Sequence, residues 1–182
     1  GVCAGAFITD QRRATLRYEE PLILVTDYKI STVEPILPIL ELAAREGRPL
    51  IIVAEEIEGQ ALAAMIMNAI RGTLKIAGIK APFYGEERRN TSDDLALSTG
   101  AHFITRESGI KLKDIKLKHL GTANSIESDK FKTTIVGGNA DYDLVDERIN
   151  GLKELIKASS SIQEGVASQG RIVRLASGVA II

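Results

Sequence analysis

Apolar and polar residues alternate along the chain at two periods. Between residues 21 and 105, short β-branched runs are separated by longer stretches of helical spacing. "PLILVTD" (21–27) is followed by a helix over 31–46 that Gly47 ends, then "RPLIIVAEE" (48–56), then a helix over 58–70. "TLKIAGIKAP" (73–82), a helix over about 87–99 and "AHFIT" (101–105) complete the series. Such alternation predicts βαβ crossovers and parallel strands, and uninterrupted apolar strand runs predict a sheet covered on both faces.

Two of these helices carry more apolar surface than one core needs. In "EGQALAAMIMNAIRG" (58–72), residues Met65, Ala69, Leu62, Ile66, Ile70 and Met67 occupy an arc of roughly 200°, against the stripe of about 100° that suits a helix lying on a core. The preceding helix repeats the excess with Ile36, Leu37, Ile39, Leu40 and Leu42. Either these helices are buried on two sides, or one side of each awaits a partner. At the start of the first, Ser31-Thr32-Val33-Glu34 has the form of a capping box, while Pro35 and Pro38 predict irregular opening turns.

The flanks are less regular. Phe7-Ile8-Thr9 and residues 14–18 bracket the polar "DQRR" as a hairpin would. Residues 110–120 alternate lysine with Ile110, Leu112, Ile115 and Leu117, the pattern of an amphipathic edge segment. "KTTIVGG" (132–138) predicts a strand and turn, and residues 142–169 predict helix broken near "SSS" (159–161). Residues 171–175 and 178–182 are the candidate last strands.

A chain of 182 residues with 45% hydrophobic content is long enough for a real core. The formal net charge of -1 gives no general attraction to nucleic acid or an anionic membrane. No apolar run approaches the ~20 residues that span a bilayer, and no secretory leader is visible. The single cysteine, Cys3, rules out an internal disulfide and a cysteine metal cluster. The chain begins at Gly1 and stops in an apolar run, which suggests a piece of a longer protein.

Specific chemistry is scarce. Neither G-x-G-x-x-G after a strand nor G-x-x-x-x-G-K-[ST] occurs, so the two phosphate-cradling motifs fail, and Gly137-Gly138-Asn139 is a simple turn signal. His102 and His119 lack metal-ligand spacing; His102 falls in an apolar strand as a structural residue, and His119 ends the lysine run as a solvated one. Glu55, Glu56 and Glu58 close a strand, where active sites of α/β folds occur, but acidic groups at a helix start are the simpler reading. The lysine run has no interleaved aromatic residue for base stacking.

Several stretches together carry a family likeness: "EEPLILVTDYKIS" (19–31), "LPILELAAREGRPLIIVAEEIEGQAL" (37–62), "NAIRG" (68–72), "IKAPFYGEERR" (79–89) and "LASGVAII" (175–182). Over essentially its whole length the chain resembles the apical domain of a group I, GroEL-type chaperonin, with the match thinnest over 110–170. The resemblance implies an α/β fold with a parallel βαβ layer, a β-sandwich-like core and flanking helices. Residues 1–182 would then be one polypeptide-binding domain, the equatorial domain and most of the intermediate domain being absent. It further implies capture of non-native polypeptides, and of a lid co-chaperonin in another state, by two ring-mouth helices. Carried over by position, the contact residues are Leu37 and Leu40, then Leu62, Ile66 and Met67, with Val2, Ala6 and Phe7 on a nearby extended segment.

On the same resemblance the fragment has no catalysis and no cofactor, ATP and Mg belonging to the parent chain, which forms a homo-oligomeric ring in the cytoplasm without nucleic-acid or membrane partners. Val2 and Ala6 stand where the family has tyrosines, keeping apolar character but losing area and hydroxyls, and Asp10 stands where a basic residue is usual. Ser177-Gly178 replaces a Gly-Gly hinge. The competing class is a small-molecule or nucleotide-binding α/β enzyme; a third is a structural domain that holds no client.

Overall fold

The computed structural model describes residues 1–2, 4–159, 161–177 and 179–181. In chain order the elements are β1 (Leu16–Glu19), β2 (Leu22–Thr26), β3 (Lys29–Ile30), α1 (Leu37–Glu46), β4 (Leu50–Ala54), β5 (Glu56–Ile57), α2 (Gly59–Arg71) and β6 (Ile76–Lys80). They continue with α3 (Gly85–Thr99), β7 (Phe103–Ile104), β8 (Gly121–Thr122), β9 (Ser125–Ser128), β10 (Thr133–Val136), α4 (Tyr142–Ala158), α5 (Ile162–Ser177) and β11 (Val179–Ile181). The predicted βαβ series is therefore present, with shorter strands than the apolar runs.

One sheet runs in the order β6-β4-β2-β7 with parallel neighbours, and β8 joins β2 antiparallel. Every residue of β2 and β4 is buried, as their unbroken apolar runs require. Right-handed crossovers dictate where the helices go. From β2 through α1 to β4, and from β4 through α2 to β6, the chain moves the same way along the sheet, which puts α1 and α2 on one face. From β6 through α3 to β7 it moves back, which puts α3 on the other.

A second, antiparallel sheet in the order β1-β9-β10-β11 turns Leu16, Ile126 and Ile135 into the same hydrophobic cluster as the parallel layer. Alternating burial along β9 and β10 fits a sheet with one face inward. A smaller cluster of Val145, Leu152, Ile172 and Leu175 holds α4 against α5. That hairpin docks on α3 through Asp94, which accepts from Arg171 Nε at 2.6 Å, Arg171 Nη2 at 2.9 Å and Arg148 Nη1 at 3.2 Å.

Several local expectations are corrected. No side-chain cap forms at Ser31; the chain enters α1 through a 3-10 turn over Glu34–Ile36, because Pro35 and Pro38 delay regular helical bonding. Residues 110–120 form two 3-10 turns, Leu112–Asp114 and Leu117–His119, instead of an edge strand. The alternation still sorts sides: Leu112 and Ile115 are buried and the four lysines exposed. Residues 171–175 belong to α5 and not to a strand, because Ile172 and Leu175, three apart, form the inner stripe of a helix. The N-terminal hairpin shrinks to a bridge between Asp10 and Thr15. Cys3 and Gly178, half of the expected hinge, lie outside the described residues.

Candidate functional site

The segments leading into α1 and α2 share a common root. Strands β3 and β5, each leading into one of the helices, pair in parallel with Lys29 opposite Glu56 and Ile30 opposite Ile57. The Glu58 N–H then donates to the Ile30 carbonyl at 2.9 Å and the Ala61 N–H to the Ser31 carbonyl at 3.2 Å, so the first turn of α2 is bonded to the strand that feeds α1. Gly59, at φ +59°, is needed there: a Cβ would stand 3.2 Å from the Ser31 carbonyl oxygen. At the far end α1 stops on Gly47, at φ 66°.

Each helix then divides its apolar residues between inside and outside. On α1, Ile39, Leu40 and Ala43 make the i, i+1, i+4 stripe that lies on the core, whereas Leu37 is 45% exposed and Leu42 half-buried. On α2, Ala61 and Met65 are buried, Leu62 and Ile66 are half-buried against the core, and Met67 and Ile70 are 48% and 70% exposed. The exposed apolar positions Leu37, Met67 and Ile70, with the outer parts of Leu62 and Ile66, are the surplus visible in the sequence. Met65 and Met67, two residues apart, face opposite ways.

Exposure was expected of Leu40 and Phe7, and at both it fails. Leu40, 8% exposed, continues the inward stripe from Ile36. Phe7, 1% exposed, ends a 3-10 turn over Gly5–Phe7 that tucks its ring beneath α2 and β6. Ala6 on that turn is exposed, and Val2 is half-buried in an antiparallel bridge to Ile79. Ile70 belonged to the broad apolar arc but not to the carried-over residues; its position at the outer edge of the arc was the available signal.

Charged residues cluster elsewhere, at the carboxyl ends of the parallel strands. A cleft of about 380 Å³ there is lined by Thr26, Asp27, Glu55, Arg88, Arg89 and Phe103, among others. Most of its charged groups are paired, although the buried Arg88 Nε has no hydrogen-bond partner among the described residues. Glu55 pairs with Arg106 at 2.8 Å and Arg88 at 3.5 Å, and Asp27 accepts from the Arg106 N–H at 3.0 Å. Arg89 forms a two-pronged pair with Glu107, which holds the Glu107 carboxyl below its usual range and the Arg89 guanidinium above its own. Glu56 pairs with Lys80 at 2.9 Å. Among the described residues no group of His, Cys, Asp and Glu could hold a metal ion.

The two histidines exchange the places expected of them. His102 is exposed just before β7, while His119 is buried. Their rings meet edge to face at 5.2 Å, and His119 Nδ1 accepts the Lys116 N–H at 2.8 Å. Burial first, then His102, Lys118 and Lys116, push the His119 pKa down from 6.5. Asp10 accepts from the Arg12 and Arg13 N–H groups, closing its own turn.

The α/β domain thus turns apolar helix positions to solvent on α1 and α2 and gathers its paired charges at the strand ends. The comparisons point to one group of proteins. The chain is similar along its entire length to the chaperonin GroEL of Wolbachia sp. subsp. Brugia malayi (strain TRS) and to that of Wolbachia pipientis wMel, at 38% identity in each case. By sequence it is similar to one domain of GroEL-type chaperonins, and it spans 33% of the length of these relatives. No family model matches it. Among the described residues no helix is long and apolar enough to cross a membrane.

Proposed function

We propose that this chain is the apical, polypeptide-binding domain of a chaperonin, and that it holds non-native polypeptides on the outer faces of α1 and α2. The observation that carries this reading is the exposure of Leu37, Met67 and Ile70 on two helices that share a root and one face of the sheet. An interior has no use for these side chains. An unfolded client does: each apolar group it buries there contributes up to ~1.5–3 kcal/mol, and methionine adapts to many shapes. Leu62 and Ile66 supply the half-buried floor between them, and Val2 and Ala6 the margin, while Leu40 and Phe7 support the surface from below.

In the parent protein, on this reading, identical domains surround the mouth of a ring, so that weak contacts add by avidity. ATP and its Mg ion are bound and turned over in another domain; a lid co-chaperonin competes for the same helices; the assembly works in the cytoplasm of a bacterium, organelle or infected cell. This fragment performs no chemistry of its own.

The test is suppression of aggregation of a chemically denatured client, comparing wild type with Leu37→Ser/Met67→Ser/Ile70→Ser. Capture is lost in the variant while its melting temperature stays within a few degrees of wild type, because surface changes shift stability by only about 0.5 kcal/mol each. Undiminished capture would sink the proposal. The cleft at the strand ends favours the enzyme reading, being where α/β folds take ligands. Titration calorimetry with ATP and dinucleotides separates the two: tight binding to this fragment overturns the client-holding account, and no heat supports it.

A further inference from the structure

We infer that the lysine-bearing turns beside α1 make this surface selective for polypeptides whose apolar segment is flanked by acidic residues. The inference rests on the client-holding reading of α1 and α2 and adds a charge preference to it.

Residues 110–120 are fastened from below. Leu112, Ile115 and Leu120 belong to the core, the Tyr28 hydroxyl donates to the Ile110 carbonyl at 3.1 Å, and His119 Nδ1 holds the Lys116 N–H. With the apolar side chains committed inward, Lys111, Lys113, Lys116 and Lys118 are all exposed. The first 3-10 turn, Leu112–Asp114, packs on α1 and on the turn over Glu34–Ile36 that precedes it, so the near end of this basic ledge, with Lys111 and Lys113, adjoins the helix that carries Leu37. Exposed Leu117, between Lys116 and Lys118, extends apolar character onto the ledge.

None of these four lysines forms an ion pair among the described residues, although Lys80, Lys157 and seven arginines do. Asp114 is the one acidic residue within the run. Four ammonium groups held in water on a fixed backbone raise the local concentration of carboxylates within a Debye length of about 8–10 Å, the scale of a peptide segment. An apolar stretch seated on α1 would bring its flanking residues over this ledge. Acidic flanks gain from it, and basic flanks are repelled. Nucleic acid fits less well, because the run offers no aromatic side chain for stacking.

The experiment measures fluorescence anisotropy of three labelled peptides sharing one apolar core and flanked by Asp/Glu, by Lys or by Ser. Each is titrated with wild type and with Lys111→Gln/Lys113→Gln/Lys116→Gln/Lys118→Gln, at low salt and at about 0.5 M NaCl, where screening removes exposed ion pairs. Four weak exposed pairs predict that wild type binds the acidic peptide roughly five- to tenfold more tightly than the Ser-flanked one at low salt. That preference disappears at high salt and in the variant, while the Ser-flanked peptide binds both proteins alike. Equal binding of acidic and basic peptides overturns the inference, as does a preference that survives in the variant. Displacement of the acidic peptide by a single-stranded oligonucleotide, as effectively as by unlabelled acidic peptide, also overturns it by showing a general polyanion site. If the Ser-flanked peptide binds without charge preference, the ledge alone fails; if no peptide binds, the client-holding reading fails with it.

Discussion

At the scale of single residues, Met65 and Met67 separate the two uses of an apolar side chain. Met65 is fully buried on the core side of α2, so Met65→Ala removes packing and leaves a cavity, at a cost of about 2–5 kcal/mol in unfolding free energy. Met67→Ala, on the solvent side, changes stability by less than about 0.5 kcal/mol. Denaturant titrations of both variants read the difference directly. His119 gives a second prediction, in pH. Its folded pKa lies below 6.5, so the unfolded chain takes up a proton before the folded one does. The contribution of neutral His119 to stability is complete above 6.5 and is lost as the pH falls through the range below it. His119→Asn, whose side-chain oxygen can accept the same Lys116 N–H, has a flatter profile of unfolding free energy over that range. Identical profiles for the two proteins would show that the slope belongs to other groups.

At the scale of elements, Asp94 is the buried carboxylate through which both helices of the α4–α5 hairpin meet α3. Asp94 is buried on α3 and binds Arg171 and Arg148, one from each helix of the hairpin. Asp94→Asn leaves Arg171 without its counter-charge and Arg148 with Asp93 alone, at 3.4 Å, and costs about 2–4 kcal/mol, less than a fully buried pair because both arginines keep some contact with water. Hydrogen exchange locates the loss: protection of α4 and α5 amides falls first, while β2 and β4 keep theirs. Nothing in sequence spacing announced this junction, since Asp94 and Arg171 are far apart in the chain and neither residue type signals a partner. The βαβ elements were legible because their periodicity is strong and continuous. Residues 110–120 and 171–175 were not, because short alternating runs suit a strand, a 3-10 turn and the inner stripe of a helix equally well. Leu40 was assigned to the surface by position in a family, although its spacing from Ile36, Ile39 and Ala43 already placed it on the inner stripe.

At the scale of the whole molecule, the sequence specified a layer architecture and an excess of apolar helix surface, but not how that excess divides. Division depends on how each helix rotates on the sheet, which only the folded contacts of Met65, Ala61 and Ile39 determine. Likeness to GroEL motivates the client-holding proposal for the remaining exposure. The common root of α1 and α2 has a mechanical corollary. The first turn of α2 is bonded to the segment that leads through a 3-10 turn into α1, and a short turn returns each helix to a strand of the sheet, residues 47–49 after α1 and 72–75 after α2. Splaying the two starts apart would break those bonds, so on the client-holding proposal differently shaped guests would be accommodated mainly by side-chain rotamers. On the client-holding proposal the pair would act as a stiff jaw with soft teeth: changing what it bites would move the side chains of Leu37, Met67 and Ile70 more than the backbone beneath them.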